Sequence, residues 1–393
     1  VSVAHPLLSA AAVRQRAHEL LDVALDGGLA DWRVDLSRLE PAADLTAQVV
    51  RASYPDLKVP FHARWRHFTA GGRDLWAERT AATAWSDAAE RARAEFDLAI
   101  VSVLLDAGAG PAWRYHDRGT GAELTRSEGL AVASLRLFET GGLSTDPARP
   151  LQADGLERLR TEQLAQAFQV GSDNPLLGLD GRAALLRRLG QVVGRPGALF
   201  DEMVARSEAG RLPAATILAV LLERLGPIWP GRLQLDGVSL GDCWRHPAVR
   251  RADATDGFMP LHKLSQWLAY SLIEPLQTAG LQVVEIDGLT GLAEYRNGGL
   301  FVDLGVLDLA DPGDAGRAHP VDSVLVVGWR AMTVALLDRL APLVRERLGV
   351  AAADFPLARV LEGGTWAAGR RIARERRADG GPPLSVISDG TVF

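Results

Sequence analysis

Residues 289–306 read LTGLAEYRNGGLFVDLGV. Glu294, Tyr295, Arg296 and Asn297 stand in a row and two glycines follow at once, in a chain that otherwise carries mostly helical patterning. Four polar or ionisable side chains in succession do not all face a dry core, because an unpaired buried charge is costly or neutralises. The stretch is therefore either a solvated turn with an Arg–Glu pair or the lining of a pocket. After it, GGLFVDLGVLDL reads as a short strand, and with LQVVEID it is the clearest β signal in the chain.

Helical signals surround this stretch. Val13, Ala17, Leu20, Leu21 and Ala24 recur at threes and fours, which predicts a surface helix near the start. A second helix is expected from Trp85 to about Leu105, ended by GAGPAW. WRYHDRGTGAELT predicts a hairpin around Asp117 to Gly121, leading into a helix with a capping box of Thr125 and Glu128. LQADGLERLRTEQLAQAF predicts another helix, as does GRAALLRRLG, capped by Asp180 and ended by Gly190. Pro260 is placed in the first turn of LHKLSQWLAYSLIE and Pro275 at its end. VDSVLVVGWRAMTVALLDRLAPLVRERLG is a long helix, EGGTWAAGRRIARERR a helix opened by glycines, and PPLSVISDGTVF strand and turn. No strand–helix alternation supports a doubly wound sheet. The expected class is mainly α, with a few short β-strands.

Composition narrows the function. The net charge of -6 and the pI near 5.8 speak against a nucleic-acid partner and for a small-molecule substrate. Cys243 is the single cysteine, so no intrachain disulfide forms and a reducing, cytoplasmic setting is expected. The N-terminus has no basic leader and no apolar run approaches a membrane span. Nothing in the sequence bears on oligomeric state.

Candidate chemistry gathers in few places. Among the 43 basic residues only Lys58 and Lys263 are lysines. Lys263 is either a leftover of arginine bias or a compact charge chosen for its ability to lose a proton when buried. It shares a helix face with Gln266, Tyr270 and Glu274, which reads as solvated unless the flanking aromatics line a hollow. LGDCWRHP sets Asp242 and Trp244 in a turn; Asp242 alone reads as an Asx-turn residue, and Cys243 as a small buried apolar side chain. In EGGTWAAGR, the glycine pair before Trp366 and Arg370 is either an anion seat at a helix start or a plain turn. His62 and His67 are five apart and no HExxH occurs, so no metal is assigned. The absence of a Walker loop or a strand-borne GxGxxG leaves no cofactor implied.

VPFHARWRHF, TRSEGLAVASLRLF, FQVGSDNPLLGLDGR, GPIWPGRL, LGDCWRHP, PLHKLSQWLAYSLIEP, LTGLAEYRNGGLFVD and LEGGTWAAGR together resemble the uracil catabolism protein 4 family of fungi and bacteria, nearly end to end. The resemblance implies one globular unit over 1–393, with an N-terminal helical lobe at 1–150 and a site-bearing lobe at 151–393. It also implies a place in uracil breakdown, where the bond from sugar to urea nitrogen must be cut. A more distant similarity runs to the queuosine-salvage nucleoside hydrolases, whose Phe-Ala-Asp-Tyr-Arg block is matched by Leu292-Ala293-Glu294-Tyr295-Arg296. Their Tyr-Lys-Arg-Ala-Gln block is matched by His262-Lys263-Leu264-Ser265-Gln266.

On that likeness a helix-hairpin-helix, DNA-glycosylase-like core is expected. Glu294, Asp242 and Lys263 take catalytic places. Tyr295, Arg296, Asn297 and Trp244 are expected to contact substrate, as are His262, Gln266, Trp366 and Arg370. Two departures stand out: the catalytic aspartate is a glutamate here, and the glutamate that precedes Trp329 in the uracil family is replaced by Gly328. The activity implied is an N-glycoside hydrolase releasing urea from a ring-opened uridine derivative such as ribosylurea 5-phosphate. An amidohydrolase step on the ureido intermediate and a non-catalytic nucleotide- or nucleic-acid-binding role remain alternatives.

Overall fold

The computed structural model describes residues 2–387. They are mainly helical, and their strands are short and paired in twos. The chain divides into two compact units that interleave in sequence: Val1–His62, Arg232–Gln266 and Glu285–Ile387 form one, and Ala63–Gly231 with Trp267–Val284 form the body of the other.

The first unit is organised on helix Val324–Leu348, started by Ser323, whose hydroxyl accepts from Val326 N–H at 3.3 Å. The helix is buried on nearly every side over Leu325–Leu337, because helices Ala10–Leu25 and Leu39–Ser53 both pack on it. Val13, Ala17, Leu20, Leu21 and Ala24 are all buried, as their spacing predicts. Strand Trp32–Val34 pairs antiparallel with Leu307–Leu309, and Cys243–Arg245 with Phe258–Pro260. Ala318–Pro320 runs parallel to Ser385–Ile387; the rest of the predicted C-terminal turn lies outside the described residues.

In the second unit, helix Ala88–Leu104 is almost wholly buried from Ala92 onward. Its end is fixed by Arg182, fully buried, which donates to the carbonyls of Leu105, Ala107 and Gly108. The predicted hairpin forms from Tyr115–Asp117 and Ala122–Leu124. Gln282–Val284 pairs parallel with Arg211–Pro213.

Several local expectations are corrected. GGLFVDL is not strand: Tyr295–Asp303 is helix, and the strand begins only at Leu307. A four-residue polar run followed by glycines masks helical periodicity until the glycines are seen to face other helices. Pro260 ends a strand rather than opening a helix, and Pro275 lies inside helix Lys263–Thr278. Thr125 precedes helix Arg126–Glu139 but its side chain makes no capping bond. Asp180 sits in the first turn of Leu179–Val193 without capping it, and that helix continues past Gly190. A Cβ on Gly190 would stand 2.6 Å from Glu157 N, so this glycine serves a close crossing. LQADGLERLRTEQLAQAF yields only a helical turn at Leu156–Arg158 and the short helix Thr161–Ala167.

Candidate functional site

Asp242 is the hub of the first unit's polar interior. Oδ1 accepts from Trp244 Nε1 at 2.6 Å and from Arg330 Nη1 at 2.8 Å; Oδ2 accepts from Arg330 Nη2 at 2.7 Å and from the backbone N–H of Lys263 at 2.9 Å. Its own carbonyl accepts the N–H groups of Leu261 and His262. The first turn of helix Lys263–Thr278 is thus gathered on one residue, with the negative charge at the positive end of the helix. Burial disfavours the ionised carboxyl, but Arg330, the Lys263 N–H and the Trp244 N–H outweigh it and hold Asp242 well below the usual carboxylate range. Its side chain keeps 19% exposure whereas that of Arg330 has 2%, so the arginine is the more deeply sealed partner of the pair.

Arg330 also ties this hub to the opening stretch, because its Nε donates to the carbonyl of Ala293 at 3.1 Å. The next residue is Glu294, which is 7% exposed. Glu294 is the N-cap of helix Tyr295–Asp303: Oε2 accepts from Arg296 N–H at 2.8 Å and Oε1 from Asn297 N–H at 2.6 Å. Each oxygen thereby retains acceptor capacity for a further donor. The quartet is neither a solvated turn nor a loop. It is the start of a helix, with Glu294, Arg296 and Asn297 buried and Tyr295 exposed, held by its own carboxylate.

Asn297 is fully buried; its Nδ2 donates to Leu292 O at 3.3 Å and its Oδ1 takes no hydrogen bond among the described residues. Such orphaned acceptors are rare in protein interiors and mark strain or a ligand position. Arg296, 5% exposed, donates to Gly380 O at 2.8 Å and lies over the half-exposed ring of Tyr295 at 4.8 Å. Trp244 carries Arg232 over its ring at 5.4 Å.

His262 is fully buried at φ 48, the left-handed region that a non-glycine residue enters only at a cost. Its Nε2 meets Leu7 O at 2.9 Å, its Nδ1 has no hydrogen bond among the described residues, and burial depresses its pKa. Gln266, also fully buried, clamps Thr290 from both ends of its amide, at 2.8 and 3.3 Å. The face of Lys263 and Gln266 is therefore not solvated. Lys263 itself is half-buried, with its N–H spent on Asp242.

Trp366 and Arg370 belong to another group. Arg370 lies over the Trp366 ring at 5.2 Å, and His62 is 6.2 Å from that ring and 2.6 Å from Glu362. The glycine pair does not open this helix: Leu357–Val360, the wider turn Leu361–Thr365 and Trp366–Arg376 follow one another without a break. Gly363 and Gly364 face Val59 and Thr46 at would-be Cβ distances of 2.8 and 2.6 Å, so they permit helix contact, not anion binding. Gly298 likewise faces Thr333 and the Trp329 ring, each 2.8 Å from a would-be Cβ, and Trp329 Nε1 donates to Gly298 O at 3.1 Å. Cys243 is buried with its thiol pKa driven up by burial, which removes it as a nucleophile.

Arg330 is the functional candidate that the sequence reading missed. Its signal was present: a single arginine inside VLVVGWRAMTVALL, where an unpaired guanidinium has no place.

Fold and site define a mainly helical protein with a buried acidic and arginine-rich cluster; among the described residues no helix is long and apolar enough to cross a membrane, and no group of His, Cys, Asp and Glu is arranged to hold a metal. The family described as "Protein of unknown function (DUF1688)" matches residues 6–393, and the chain belongs to it. It is 40% identical over 402 residues to "Protein urg3" of Schizosaccharomyces pombe, covering 98% of each chain. It is 36% identical over 433 residues to "Uracil catabolism protein 4" of Lachancea kluyveri, again covering 98% of each.

Proposed function

We propose that this protein acts in uracil catabolism as an N-glycoside hydrolase that releases urea from ribosylurea 5-phosphate. The observation that carries the reading is that Arg330 forks onto the Asp242 carboxylate and also donates to the carbonyl of Ala293, the residue before the helix-capping Glu294, in a chain similar over its full length to a uracil catabolism protein. Cleavage of such a bond passes through an oxocarbenium-like sugar, which needs negative charge near the anomeric carbon and donors at the leaving nitrogen.

In this reading Glu294, fixed by its two backbone donors, stabilises the sugar cation and orients the attacking water. The C–N bond breaks with its electron pair going to urea nitrogen, water oxygen bonds to the anomeric carbon, and the proton lost by water reaches the departing urea. Asn297 Oδ1 accepts from a urea N–H. Asp242 positions the Lys263 turn, so that Lys263 and Trp244 line the phosphate or sugar side. Tyr295, Arg296, His262 and Gln266 shape the surroundings, and the Trp366–Arg370 pair supplies a further cationic and aromatic contact. The assignment of Glu294 draws on the likeness to the queuosine-salvage hydrolases, with their glycosylase-like core as the proposed relation. The single lobed unit over 1–393 and a cytoplasmic setting belong to the same proposal.

The test is urea release from synthetic ribosylurea 5-phosphate, with products weighed by mass spectrometry. Urea and ribose 5-phosphate are expected. Ammonia with the sugar still attached to nitrogen, or an unchanged substrate, overturns the reading. Glu294→Gln is expected to lower turnover about 10²- to 10⁴-fold while circular dichroism and Tm remain near wild type. Full turnover in that variant would reduce Glu294 to a helix cap.

A further inference from the structure

A cavity of about 480 Å³ opens in the unit built on Ala63–Gly231, within the range of about 300–1,000 Å³ typical of small-molecule sites. Its wall holds Arg79, Thr83, Trp85, Ser86, Arg149 and Gln152. Two of these are unspent. Gln152 is 5% exposed, lines the cavity, and its side-chain amide forms no hydrogen bond among the described residues. The guanidinium of Arg79 makes neither ion pair nor hydrogen bond among them, and its Nε is shut away from solvent.

The indole and the carboxylate beside them are engaged. Trp85 is anchored through Nε1 to Thr80 O at 3.3 Å. Glu90, the one carboxylate on the wall, is met by Arg93, Arg149 and Arg195, while Asp201 pairs with Arg93 and Asp97 with Arg195. Counting Arg79, four guanidiniums face three carboxylates, which leaves one positive charge without a partner. A buried primary amide offers a donor and an acceptor side by side, complementary to an N–H/C=O edge. An unpaired guanidinium offers a planar fork for a carboxylate or phosphate, and a fixed indole offers a stacking face.

We propose that this cavity is a binding site for a small organic anion carrying a planar amide edge, of the chemical class of a pyrimidine nucleoside monophosphate. Gln152 reads the amide edge, Arg79 takes the anion and Trp85 flanks the ring. The site shares no residue with the Asp242–Glu294 cluster, so it stands or falls independently of the proposed hydrolysis.

The experiment is calorimetric titration of the full chain with uridine 5′-monophosphate, and with uracil and orthophosphate separately. The nucleotide is expected to bind more tightly than either fragment. Loss of one charge-assisted hydrogen bond removes about 1.5–3 kcal/mol, so Arg79→Ala is expected to weaken binding about 10- to 100-fold. Gln152→Leu is expected to weaken the nucleotide and uracil but not orthophosphate. Glu294→Gln and Asp242→Asn are expected to bind the nucleotide as wild type does, with Tm checked for every variant. The proposal is overturned by the absence of nucleotide binding, by Arg79→Ala and Gln152→Leu both retaining wild-type affinity in a folded protein, or by orthophosphate binding as tightly as the nucleotide.

Discussion

Arg330 grips Asp242 with a two-bond fork, Nη1 to Oδ1 at 2.8 Å and Nη2 to Oδ2 at 2.7 Å, across 88 positions of sequence. The fork joins the interior of helix Val324–Leu348 to the start of helix Lys263–Thr278, and through Ala293 O to the cap of helix Tyr295–Asp303. Three elements therefore depend on one ion pair.

Removal of one partner strands the other in a poorly solvated place, which costs about 3–5 kcal/mol. Arg330→Ala is expected to lose stability on that scale in urea denaturation. Asp242→Asn keeps the shape but leaves Arg330 without its counter-charge and turns an amide N–H toward one of its donors, so it is expected to lose a comparable amount. In the double variant Arg330→Ala/Asp242→Ala the losses are expected to be less than additive, because no charge is left unpaired. Strict additivity would mean that the fork contributes nothing as a pair.

The cap at Glu294 separates fold from catalysis. Glu294→Ala removes the acceptors of Arg296 N–H and Asn297 N–H and is expected to cost about 0.5–2 kcal/mol. Glu294→Gln retains one strong acceptor and is expected to cost less. A Tm series for the two variants, set beside urea release, checks this; equal losses of Tm in both would show that charge, not acceptance, is what the helix start requires.

Gly369 allows helix Trp366–Arg376 to cross Tyr295–Asp303 at backbone contact: a Cβ there would fall on the carbonyl oxygen of Arg296. Gly369→Ala therefore forces the two helices apart, at a cost of about 1–3 kcal/mol. Because Arg296 and Asn297 move with the crossing, urea release is expected to fall more than Gly316→Ser lowers it, Gly316 being an exposed residue outside the left-handed region with open space around it. Thermal denaturation and turnover of both variants decide the matter.

His246 gives stability a pH dependence. It is buried, its Nδ1 accepts the N–H of Ala248 at 3.2 Å, and burial pushes its pKa down to about 4. The unfolded chain protonates near pH 6.5 while the native state stays neutral, so its contribution is whole above about 6.5 and is lost as pH falls toward 4. Asp97 runs the other way: burial lifts it to about 6, so the native state takes up its proton first and gains stability as pH falls from about 6 toward about 3.9. His246→Asn keeps an acceptor for Ala248 and removes the titration. Its denaturation midpoint is expected to rise relative to that of wild type as pH falls from 6.5 to 4, because the Asp97 gain, common to both, is no longer offset. An identical slope in the two proteins would rule out His246 as the source.

Much of the helical content was legible because helix formation is a local matter. Val13, Ala17, Leu20, Leu21 and Ala24 repeat at the helical period and bury together. The run 324–348 could be read from its length and its Ser323 cap. What failed were boundaries set by neighbours: Pro260 serves a strand because Cys243 lies opposite it, and Gly190 lies inside a helix because Glu157 crosses there. The site was legible as a set of residue types. Asp242, Trp244, Lys263, Glu294 and Asn297 lie in one hydrogen-bonded string, but Arg330, which completes it, carries no motif of its own.

The sequence by itself determined the helical class, the unusual polar quartet at 294–297 and the kinship of the whole chain, since periodicity, residue type and order are written along one dimension. Only the tertiary structure decided that Glu294 caps a helix, that the glycines beside it admit Trp329 rather than a ligand, and that Asp242 finds its charge on Arg330. Burial and electrostatic pairing are properties of space, and residues 88 apart become partners only when packing removes the water between them.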